Sequence, residues 1–494
     1  MASSPVVEPE VDETVRADRR FFGHPLGVGN LAGVEMWERF SFYGMQAILA
    51  FYLYYRVSEG GLGLTEVQAT SIVGAYGGLV YLSAILGAWV ADRVLGAELT
   101  LTYGAGLILA GHVALAVLPG FVGVGVGLVC VAIGSGTLKA TTSSVLGEMY
   151  AAGDDRRDAG FSIYYMGVNI GALLGPLLTG WLWQMRGFHW GFGAAAIGMA
   201  AGLVQYLLLR RSTIRGIGAR PTNPLRAGEW VRYAVPAAIA VALVVVAAMT
   251  GLLAPQRLAT IVTVITVLAA VALFAVILGS SKIDADERSR VISFIPMFVA
   301  SATFWSLFQQ QFTVLAVYSD QRVDRTIGSF EVSPAWVTSI NPVFIIVFAG
   351  VFAAMWTKLG PRQPTTPWKF AIGTFIMGLA FLLFIPMANG GENSTPLLWI
   401  ALILFFFTMA ELFLSPVGQS LATKLAPRAF HTQMIALFFL SIAVGSSMSG
   451  ALSAGYDPND EVPYFLLVGL ASIGVSVVIA VLSRWISRMM RGVR

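Results

Sequence analysis

The stretch EMWERFSFYGMQ, residues 35–46, places two carboxylates and a guanidinium inside an apolar segment that runs from about residue 27 to residue 55. The segment is long enough to cross a bilayer as a helix. At 100° per residue, Glu35, Glu38 and Arg39 project from one face of that helix. Charges at membrane depth cost about 2.5–3.5 kcal/mol each on insertion scales, so they face one another or an aqueous cavity. A structural ion pair is one interpretation. We favour a coupled site for protons and substrate, because one arginine cannot neutralise two glutamates.

The whole chain is apolar, with 494 residues of which 56% are hydrophobic and 12% charged, and a mean hydropathy of +0.75. Long unbroken apolar runs predict an all-α membrane protein, because a β-barrel would show short segments of alternating hydrophobicity. The net charge of +4 is explained by membrane topology, so we expect no nucleic-acid partner. The single cysteine, Cys130, excludes an intramolecular disulfide. Residues 1–18 are charged and lack an apolar core, which predicts a disordered tail.

The distribution of Lys and Arg predicts the orientation. With a cytoplasmic N-terminus, 24 of the 31 Lys and Arg residues lie on the inner side and five on the outer side. This bias places both termini in the cytoplasm. The five on the outer side are Arg56, Arg186, Arg257, Arg322 and Arg325. The fourteen apolar segments that predict membrane spans are 27–55, 66–92, 98–118, 121–149, 158–183, 190–210, 229–253, 258–279, 288–318, 333–357, 367–387, 396–423, 430–454 and 463–487.

A basic stretch with two prolines, residues 210–226, divides the chain. The next two spans hold no charge at depth, which is typical of helices that face lipid or pack passively. Six spans then remain on each side, the architecture of the major facilitator superfamily, in which two bundles surround a central cavity. The predicted domains are a cytoplasmic tail (1–24), an N-terminal six-helix bundle (25–211), a linker with two accessory helices (212–285) and a C-terminal six-helix bundle (286–490).

Two further charges lie deep in apolar spans, Lys139 and Glu411. With Glu38 they stand roughly 15–20 Å from the inner boundary at 1.5 Å per residue, close to one plane. We therefore expect their three helices to share a cavity in which a surplus carboxylate binds and releases a proton. Lys139 suits a substrate carboxylate, and Glu411 suits an amine with Ser415 one turn away. Taken singly, each charge is also compatible with a buried contact between helices.

Three motifs resemble those of the proton-dependent oligopeptide transporter (POT) family. They are EMWERFSFYG at 35–44, GAWVADRVLGAELT at 87–100 and FSIYYMGVNIG at 161–171, with weaker matches around Asn341-Pro342 and Glu411 to Pro416. The resemblance implies a symporter, not an enzyme, that imports di- and tripeptides across the cell membrane by alternating access. Protons would be the coupling ion, no cofactor would be needed, and a monomer in the lipid bilayer would be the functional unit. A relative that carries another small anionic or zwitterionic solute is the alternative.

The resemblance also implies roles for individual residues. Proton coupling is expected at Glu35, Glu38, Arg39 and Lys139, and cytoplasmic gating at Asp92 and Arg93. Substrate contacts are expected at Tyr43, Gln46, Tyr76, Lys139, Asn169, Trp305, Gln309, Asn341, Glu411, Ser415 and Phe438.

Four positions depart from the family pattern: Phe42, Gln46, Gln309 and Phe438 stand where tyrosine, arginine, glutamate and tryptophan are common. A glutamine cannot titrate. We therefore expect coupling to run through the first-helix glutamates, with Lys139 paired to one of them when no peptide is bound. The absence of arginine at position 46 assigns recognition of the peptide carboxylate to Lys139. The four histidines have no ligand spacing, so we predict no metal site.

Overall fold

The computed structural model describes residues 13–151, 154–226 and 228–493. These residues contain fourteen long helices, one for each predicted span. We number them in chain order. Their bounds are Leu26–Tyr54 (α1), Glu66–Val90 (α2), Ala97–Val117 (α3), Gly120–Glu148 (α4), Arg157–Arg186 (α5), Phe188–Thr213 (α6), Trp230–Met249 (α7), Leu258–Leu278 (α8), Ala285–Phe308 (α9), Ile340–Leu359 (α10), Thr366–Leu382 (α11), Leu397–Leu425 (α12), His431–Leu452 (α13) and Val462–Met489 (α14).

Thirteen helices among the described residues are long and apolar enough to cross a membrane, which confirms the predicted all-α membrane fold. The one predicted span that is not among these thirteen is the first, α1. Its 29 residues give a length of about 43 Å, which exceeds the hydrocarbon core of a bilayer. Glu35, Glu38 and Arg39 lower its hydropathy, and all three are buried within the protein.

The seventh helix of the predicted 6+6 arrangement is interrupted. After α9 the chain forms a 3₁₀ turn, Gln309–Phe312, and then a helix of eight residues, Val314–Gln321. The short strands β1 (Val323–Asp324) and β4 (Thr395–Pro396) pair in parallel. Strands β2 (Thr326–Ile327) and β3 (Phe330–Glu331) form an antiparallel hairpin. The remaining short elements are a helix at Glu13–Ala17, a π-helical turn at Ala91–Leu95, and 3₁₀ turns at Val57–Glu59, Pro255–Arg257, Pro334–Ser339, Gly360–Arg362, Ile385–Met387, Arg428–Phe430 and Ser453–Gly455.

The predicted disordered tail, residues 1–18, lies outside the described residues up to position 12. For residues 13–18 the prediction is wrong. Glu13–Ala17 is helical, and the Asp18 carboxylate accepts hydrogen bonds from the Arg20 side chain at 3.0 Å and from the backbone N–H of Leu26 at 3.2 Å. The bond from the Arg20 guanidinium holds the pKa of Asp18 below its usual value. These bonds fix the chain just before α1 begins.

The chain forms two compact units. The first contains the described residues up to Ile48 together with Leu82–Arg257, and the second contains Leu49–Tyr81 and Leu258–Arg494. In the first unit α3 packs on α4 and α6, and α5 packs on α6. In the second, α11 packs on α12 and α14, and α13 packs on α8 and α9. The predicted domain boundaries divide the sequence differently and stay a prediction.

The two accessory helices differ in burial. None of the residues of α7 is buried, whereas α8 buries one face made by Ala259, Val262, Thr266, Ala270 and Ile277. This face lies in the second unit, where α8 packs on α13. Both helices are uncharged at depth, as the sequence predicts.

Candidate functional site

Helix α1 carries a buried ion cluster in the first unit, formed by Glu35, Glu38 and Arg39. Nε of Arg39 lies 2.9 Å from Oε1 of Glu35 and 2.8 Å from Oε2 of Glu38. The three residues are at most 4% exposed, and Glu38 is completely buried. One guanidinium therefore contacts both carboxylates. The predicted grouping of these three side chains on one helix face is confirmed by these contacts.

Helix α4 supplies a second row of polar groups against this cluster. Oγ of Ser135 donates to Oε1 of Glu38 at 2.5 Å, and Oγ1 of Thr142 donates to Oε2 of Glu35 at 3.3 Å. Lys139 lies between these two hydroxyl residues in the sequence. Its Nζ is 5.2 Å from the centre of the Phe42 ring, and Cζ of Arg39 is 5.5 Å from the same ring. The structure thus brings Lys139 to the α1 cluster, and the two cations lie near the same aromatic ring.

The roles of Ser135 and Thr142 as hydrogen-bond donors were not expected from the sequence. Their spacing could have indicated these roles, because positions 135, 139 and 142 are separated by four and three residues and so lie on one face of α4. A third polar group, Tyr164 on α5, has its hydroxyl 2.8 Å from Oγ1 of Thr142. The hydroxyls of Thr142 and Tyr164 therefore form a hydrogen-bonded chain that ends on the carboxylate of Glu35.

Three other predicted residues of the first unit are buried or half-buried, and one of them, Tyr43, lies near the cluster. Tyr43 is half-buried, with its ring centre 6.0 Å from Cζ of Arg39. Gln46 is buried. Asn169 is buried as well, and its side-chain amide donates to the backbone carbonyl of Tyr165 in its own helix at 2.9 Å. The structure leaves their predicted substrate contacts as a prediction.

Glycines allow the helices around the cluster to approach closely. A Cβ on Gly171 of α5 would overlap the carbonyl oxygen of Met36 on α1. Gly134 and Gly136 of α4 face α3 and α2 respectively, where an added Cβ would lie 2.6 Å from the carbonyl oxygen of Gly104 and 2.6 Å from the backbone nitrogen of Ala84. Ser135, between these glycines, faces α1. Three consecutive residues of α4 therefore contact three different helices.

The second unit contains a smaller polar cluster between α10 and α12. The side-chain amide of Asn341 donates to Oγ1 of Thr408 at 2.9 Å and to Oε2 of Glu411 at 3.4 Å. Asn341 is buried, while Glu411 and Ser415 are partly exposed. The structure therefore joins two of the predicted residues, Asn341 and Glu411. Thr408 was not predicted, although it lies three residues before Glu411 and so shares its helix face.

The remaining predicted residues of the second unit belong to α2, α9, the 3₁₀ turn that follows α9, and α13. The amide of Gln309 donates to Oγ of Ser446 at 2.9 Å. The indole Nε1 of Trp305 is buried and has no hydrogen-bond partner among the described residues. Tyr76 on α2 and Phe438 on α13 are buried.

The predicted gating residues, Asp92 and Arg93, lie in the π-helical turn at the end of α2. NH2 of Arg93 is 2.7 Å from Oε2 of Glu229. The backbone carbonyls of Asp92 and Arg93 accept hydrogen bonds from the N–H groups of Asn223 and Leu225 at 2.9 and 3.0 Å. The linker before α7 is therefore bound to this turn at Asn223, Leu225 and Glu229.

No group of three or more His, Cys, Asp or Glu side chains able to hold a metal ion occurs in the part of the chain that the structure describes. The polar groups at depth described above include ion pairs, hydroxyls and amides. Buried ion pairs in a bundle of long apolar helices are typical of a secondary transporter, in which charges at depth form ion and substrate pathways.

Comparison with known proteins identifies the family. Residues 98–462 match the family model described as the POT family, so the chain belongs to the POT family. Its fold is that of the major facilitator superfamily, in agreement with the solved structures of POT transporters that it matches.

Individual relatives match over the whole length. The di-/tripeptide transporter of Lactococcus lactis subsp. cremoris is 36% identical, with 97% of this chain and 99% of the relative aligned. Among solved structures, the crystal structure of peptide transporter POT in complex with sulfate has 43% sequence identity to this chain and a TM-score of 0.91. The match covers 98% of this chain and 100% of the other. A POT family transporter in complex with 5-aminolevulinic acid is 39% identical, with a TM-score of 0.90 and coverage of 95% and 98%.

Proposed function

We propose that this protein is a proton-coupled symporter that imports di- and tripeptides by alternating access. Membership of the POT family and full-length similarity to a di-/tripeptide transporter support the substrate class. The observation that carries the coupling proposal is the contact of one guanidinium, that of Arg39, with the carboxylates of both Glu35 and Glu38. When Lys139, the second cation near the cluster, binds a substrate carboxylate, the two acids share one cation and a proton can neutralise the remaining negative charge.

The cluster can respond to a proton through its ion pairs. Protonation of Glu35 or Glu38 removes one of the two attractions that hold the Arg39 side chain. Lys139 is close enough to sense this change, since its Nζ and Cζ of Arg39 contact the same Phe42 ring. Once the Lys139 side chain is released from the cluster, it can bind the carboxylate of a peptide by a charge-assisted hydrogen bond. Proton binding and peptide binding would thereby bias the same conformational equilibrium.

We also propose substrate contacts in the second unit, as the POT resemblance implies. Glu411, held by the Asn341 amide, is an acceptor for the α-amino group, with Ser415 one turn away. The buried indole N–H of Trp305 can donate to a peptide carbonyl. For Tyr43, Gln46, Tyr76, Asn169, Gln309 and Phe438 we propose substrate contacts as well, on the same basis.

Uptake by liposomes with an imposed pH gradient tests the coupling assignment. Wild-type protein should accumulate labelled dialanine when the outside is acidic, and an uncoupler should abolish accumulation. Glu35→Gln and Glu38→Gln should each lose gradient-driven accumulation but keep peptide counterflow, which needs no net proton movement. Glu331→Gln is the matched control, because the side chain of Glu331 is 66% exposed in a loop hairpin. Normal accumulation by both first-helix variants would refute the assignment.

The role of Lys139 has its own test. Lys139→Gln should weaken dipeptide binding roughly 10- to 100-fold, because a hydrogen bond to a charged group contributes about 1.5–3 kcal/mol. A dipeptide amide, which lacks the carboxylate, should bind the variant and the wild type equally. Lys282→Gln, on an exposed residue, is the control. Equal losses for the dipeptide and its amide would show that Lys139 does not bind the carboxylate.

An alternative substrate class is a small anionic or zwitterionic solute, because a similar POT transporter was solved with 5-aminolevulinic acid. That molecule has a carboxylate and an amine, as a dipeptide does, so the same charged residues would bind it. Competition of labelled dialanine uptake by unlabelled 5-aminolevulinic acid and by tripeptides distinguishes the two. Stronger inhibition by 5-aminolevulinic acid would favour the alternative.

For Asp92 and Arg93 we propose a cytoplasmic gating role that involves the linker. The Arg93–Glu229 pair is partly exposed, with side chains 16% and 37% accessible, so its effect on stability is small. Arg93→Glu and Glu229→Arg should each slow uptake at unchanged stability, and the double variant should restore it. If the double variant does not recover uptake, the Arg93–Glu229 ion pair is not part of the gate.

We place the protein in the cell membrane as a monomer, with both termini in the cytoplasm. The excess of Lys and Arg in the loops of the inner side supports this orientation. Labelling of single cysteines introduced at Arg186 and Arg362 in intact cells tests it, on a background in which Cys130 is replaced. Only the cysteine at position 186 should react with an impermeant reagent.

A further inference from the structure

An apolar groove lies in the first unit, apart from the ion cluster. It has a volume of about 600 Å³ and is bounded by α1, α3, α5 and α6. Trp37 and Phe40 of α1, Leu178 and Leu182 of α5, and Ile197 of α6 line it. Cavities of this volume are large enough for a drug-sized apolar ligand.

The groove is open on the outer surface of the helices, where its lining residues are exposed. Ile197 is 73% exposed and Leu178 is 40% exposed. Gly193 also lines the groove, and a Cβ added there would meet no atom within 4 Å. In a helix that crosses a membrane, such open apolar surface faces lipid chains.

The dimensions of the groove match one leaflet of a bilayer. On α6 it extends from His189 to Gly198, a distance of about 14 Å at 1.5 Å per residue. Half of the hydrocarbon core of a bilayer is about 15 Å thick. One end lies where α5 ends and α6 begins, and Trp190, which is 61% exposed there, is typical of the membrane interface. Trp37, at the other end, lies about 17 Å into α1, close to the bilayer centre.

A cation stands at the interfacial end. Arg186 follows Leu178 and Leu182 at intervals of four residues, so the three lie on one face of α5. Arg186 is exposed and ends that helix. A guanidinium at this level suits the phosphate of a lipid headgroup, because it donates two parallel hydrogen bonds to such an anion.

We propose that this groove binds one phospholipid, with an acyl chain along Trp37, Phe40, Gly193 and Ile197 and the phosphate on Arg186. In the orientation proposed above, the lipid belongs to the outer leaflet. The site is separate from the transported substrate, and the proposal does not depend on the transport function. A second copy of this chain is a poorer occupant, because the groove matches the length of one leaflet and ends in a cation.

Native mass spectrometry of the purified full chain, after delipidation and re-exposure to phosphatidylglycerol vesicles, counts retained lipids. Gly193→Phe should place a phenyl ring in the groove, because a Cβ at position 193 meets nothing within 4 Å. Gly125→Phe is its control, because Gly125 is exposed and a Cβ there also meets nothing within 4 Å. We expect one retained phospholipid in the wild type and the control. Occupancy should fall at least about tenfold in Gly193→Phe, since the phenyl ring displaces several buried methylene groups.

Arg186→Gln separates headgroup binding from chain binding. The wild type should retain phosphatidylglycerol better than diacylglycerol, which has no phosphate, and Arg186→Gln should retain the two lipids equally. Equal phospholipid retention by the wild type and Gly193→Phe would overturn the proposal. A dimer in the wild type that dissociates in Gly193→Phe, with no change in bound lipid, would identify a second copy as the occupant and would overturn it as well.

Discussion

Arg39 lies between two carboxylates of its own helix, and this contact is the residue-scale basis of the proposed coupling. The spacing of Glu35, Glu38 and Arg39 predicted it, because helix geometry alone puts these positions on one face. The partners on α4 were harder to predict. Ser135 reaches across to Glu38, whereas Ser143 of the same helix bonds back to the carbonyl of Lys139. Hydroxyl side chains in membrane helices do both, so sequence does not tell them apart.

Ser135→Ala is therefore expected to be destabilising. It removes the hydroxyl that donates to the completely buried carboxylate of Glu38. The free energy of unfolding should fall by about 1.5–3 kcal/mol, the usual contribution of a hydrogen bond to a charged group. Denaturant unfolding in detergent measures it. The control is Ser143→Ala, whose hydroxyl bonds within its own helix at 3.4 Å. A loss of equal size in both variants would contradict the importance of the Ser135 bond.

At the scale of the element, glycines on α5 determine how closely it approaches α1. Gly167, Gly171 and Gly175 recur every four residues and so form one face. A Cβ on each would come too close to a backbone carbonyl of α1, at Ala32, Met36 and Phe40 respectively. Such small-residue faces are typical of tight packing between membrane helices. The third sequence motif thus has a physical role, which is to hold α5 against the helix that carries Glu35 and Glu38.

Gly171→Ala is expected to lower stability and Gly125→Ala to preserve or raise it. At Gly171 an added methyl overlaps the carbonyl oxygen of Met36, and overpacking of this kind costs about 1–3 kcal/mol. At Gly125 the methyl meets nothing within 4 Å, and alanine in a helix is favoured over glycine by about 0.5–1 kcal/mol. Thermal unfolding of the two variants in the same detergent compares them. Equal melting temperatures would show that α5 can move away from α1 without loss.

One element differs from its predicted form. The sequence predicts a continuous span at residues 288–318, but regular helix stops at Phe308. Three glutamines follow, and two of them bond to other helices: Gln309 to Ser446 and Gln310 to the hydroxyl of Tyr464, at 2.9 and 2.8 Å. Thr313 then leaves the helical region with φ −120° and ψ −98°. Because the break depends on partners distant in sequence, hydropathy could not reveal it.

At the scale of the whole molecule, the fourteen helices were predictable and the composition of the compact units was not. Apolar length alone locates a membrane helix. Which helices pack together depends on shape, as at Gly74 of α2, where a Cβ would lie 2.5 Å from Cα of Gly450 on α13. Residues 49–81 accordingly belong to the second unit, although the sequence divides the chain after the sixth span. Glycine pairs of this kind are visible only after the fold brings them together.

The assignment of residues 49–81 to the second unit predicts that two fragments of the chain, expressed together, remain associated. A break between Ser281 and Lys282, both exposed, leaves residues 49–81 and α8 on the N-terminal fragment. Their partners lie on the C-terminal fragment: Asp320 accepts from the Tyr54 and Tyr55 hydroxyls at 2.5 and 2.9 Å, and Ser453 donates to Thr70 at 2.6 Å. The two co-expressed fragments should therefore copurify through a tag on either one.

Removing the tyrosine hydroxyls should weaken this association. The double variant Tyr54→Phe, Tyr55→Phe deletes two hydrogen bonds to one carboxylate, each contributing about 1.5–3 kcal/mol, so recovery of the untagged fragment should fall at least about tenfold. Tyr103→Phe, on an exposed residue of the first unit, should leave recovery unchanged. Undiminished recovery in the double variant would mean that apolar packing of α2 and α8 on α13 is sufficient to hold the second unit together. In that case the Asp320 contacts are free to open and close during transport at little cost in stability.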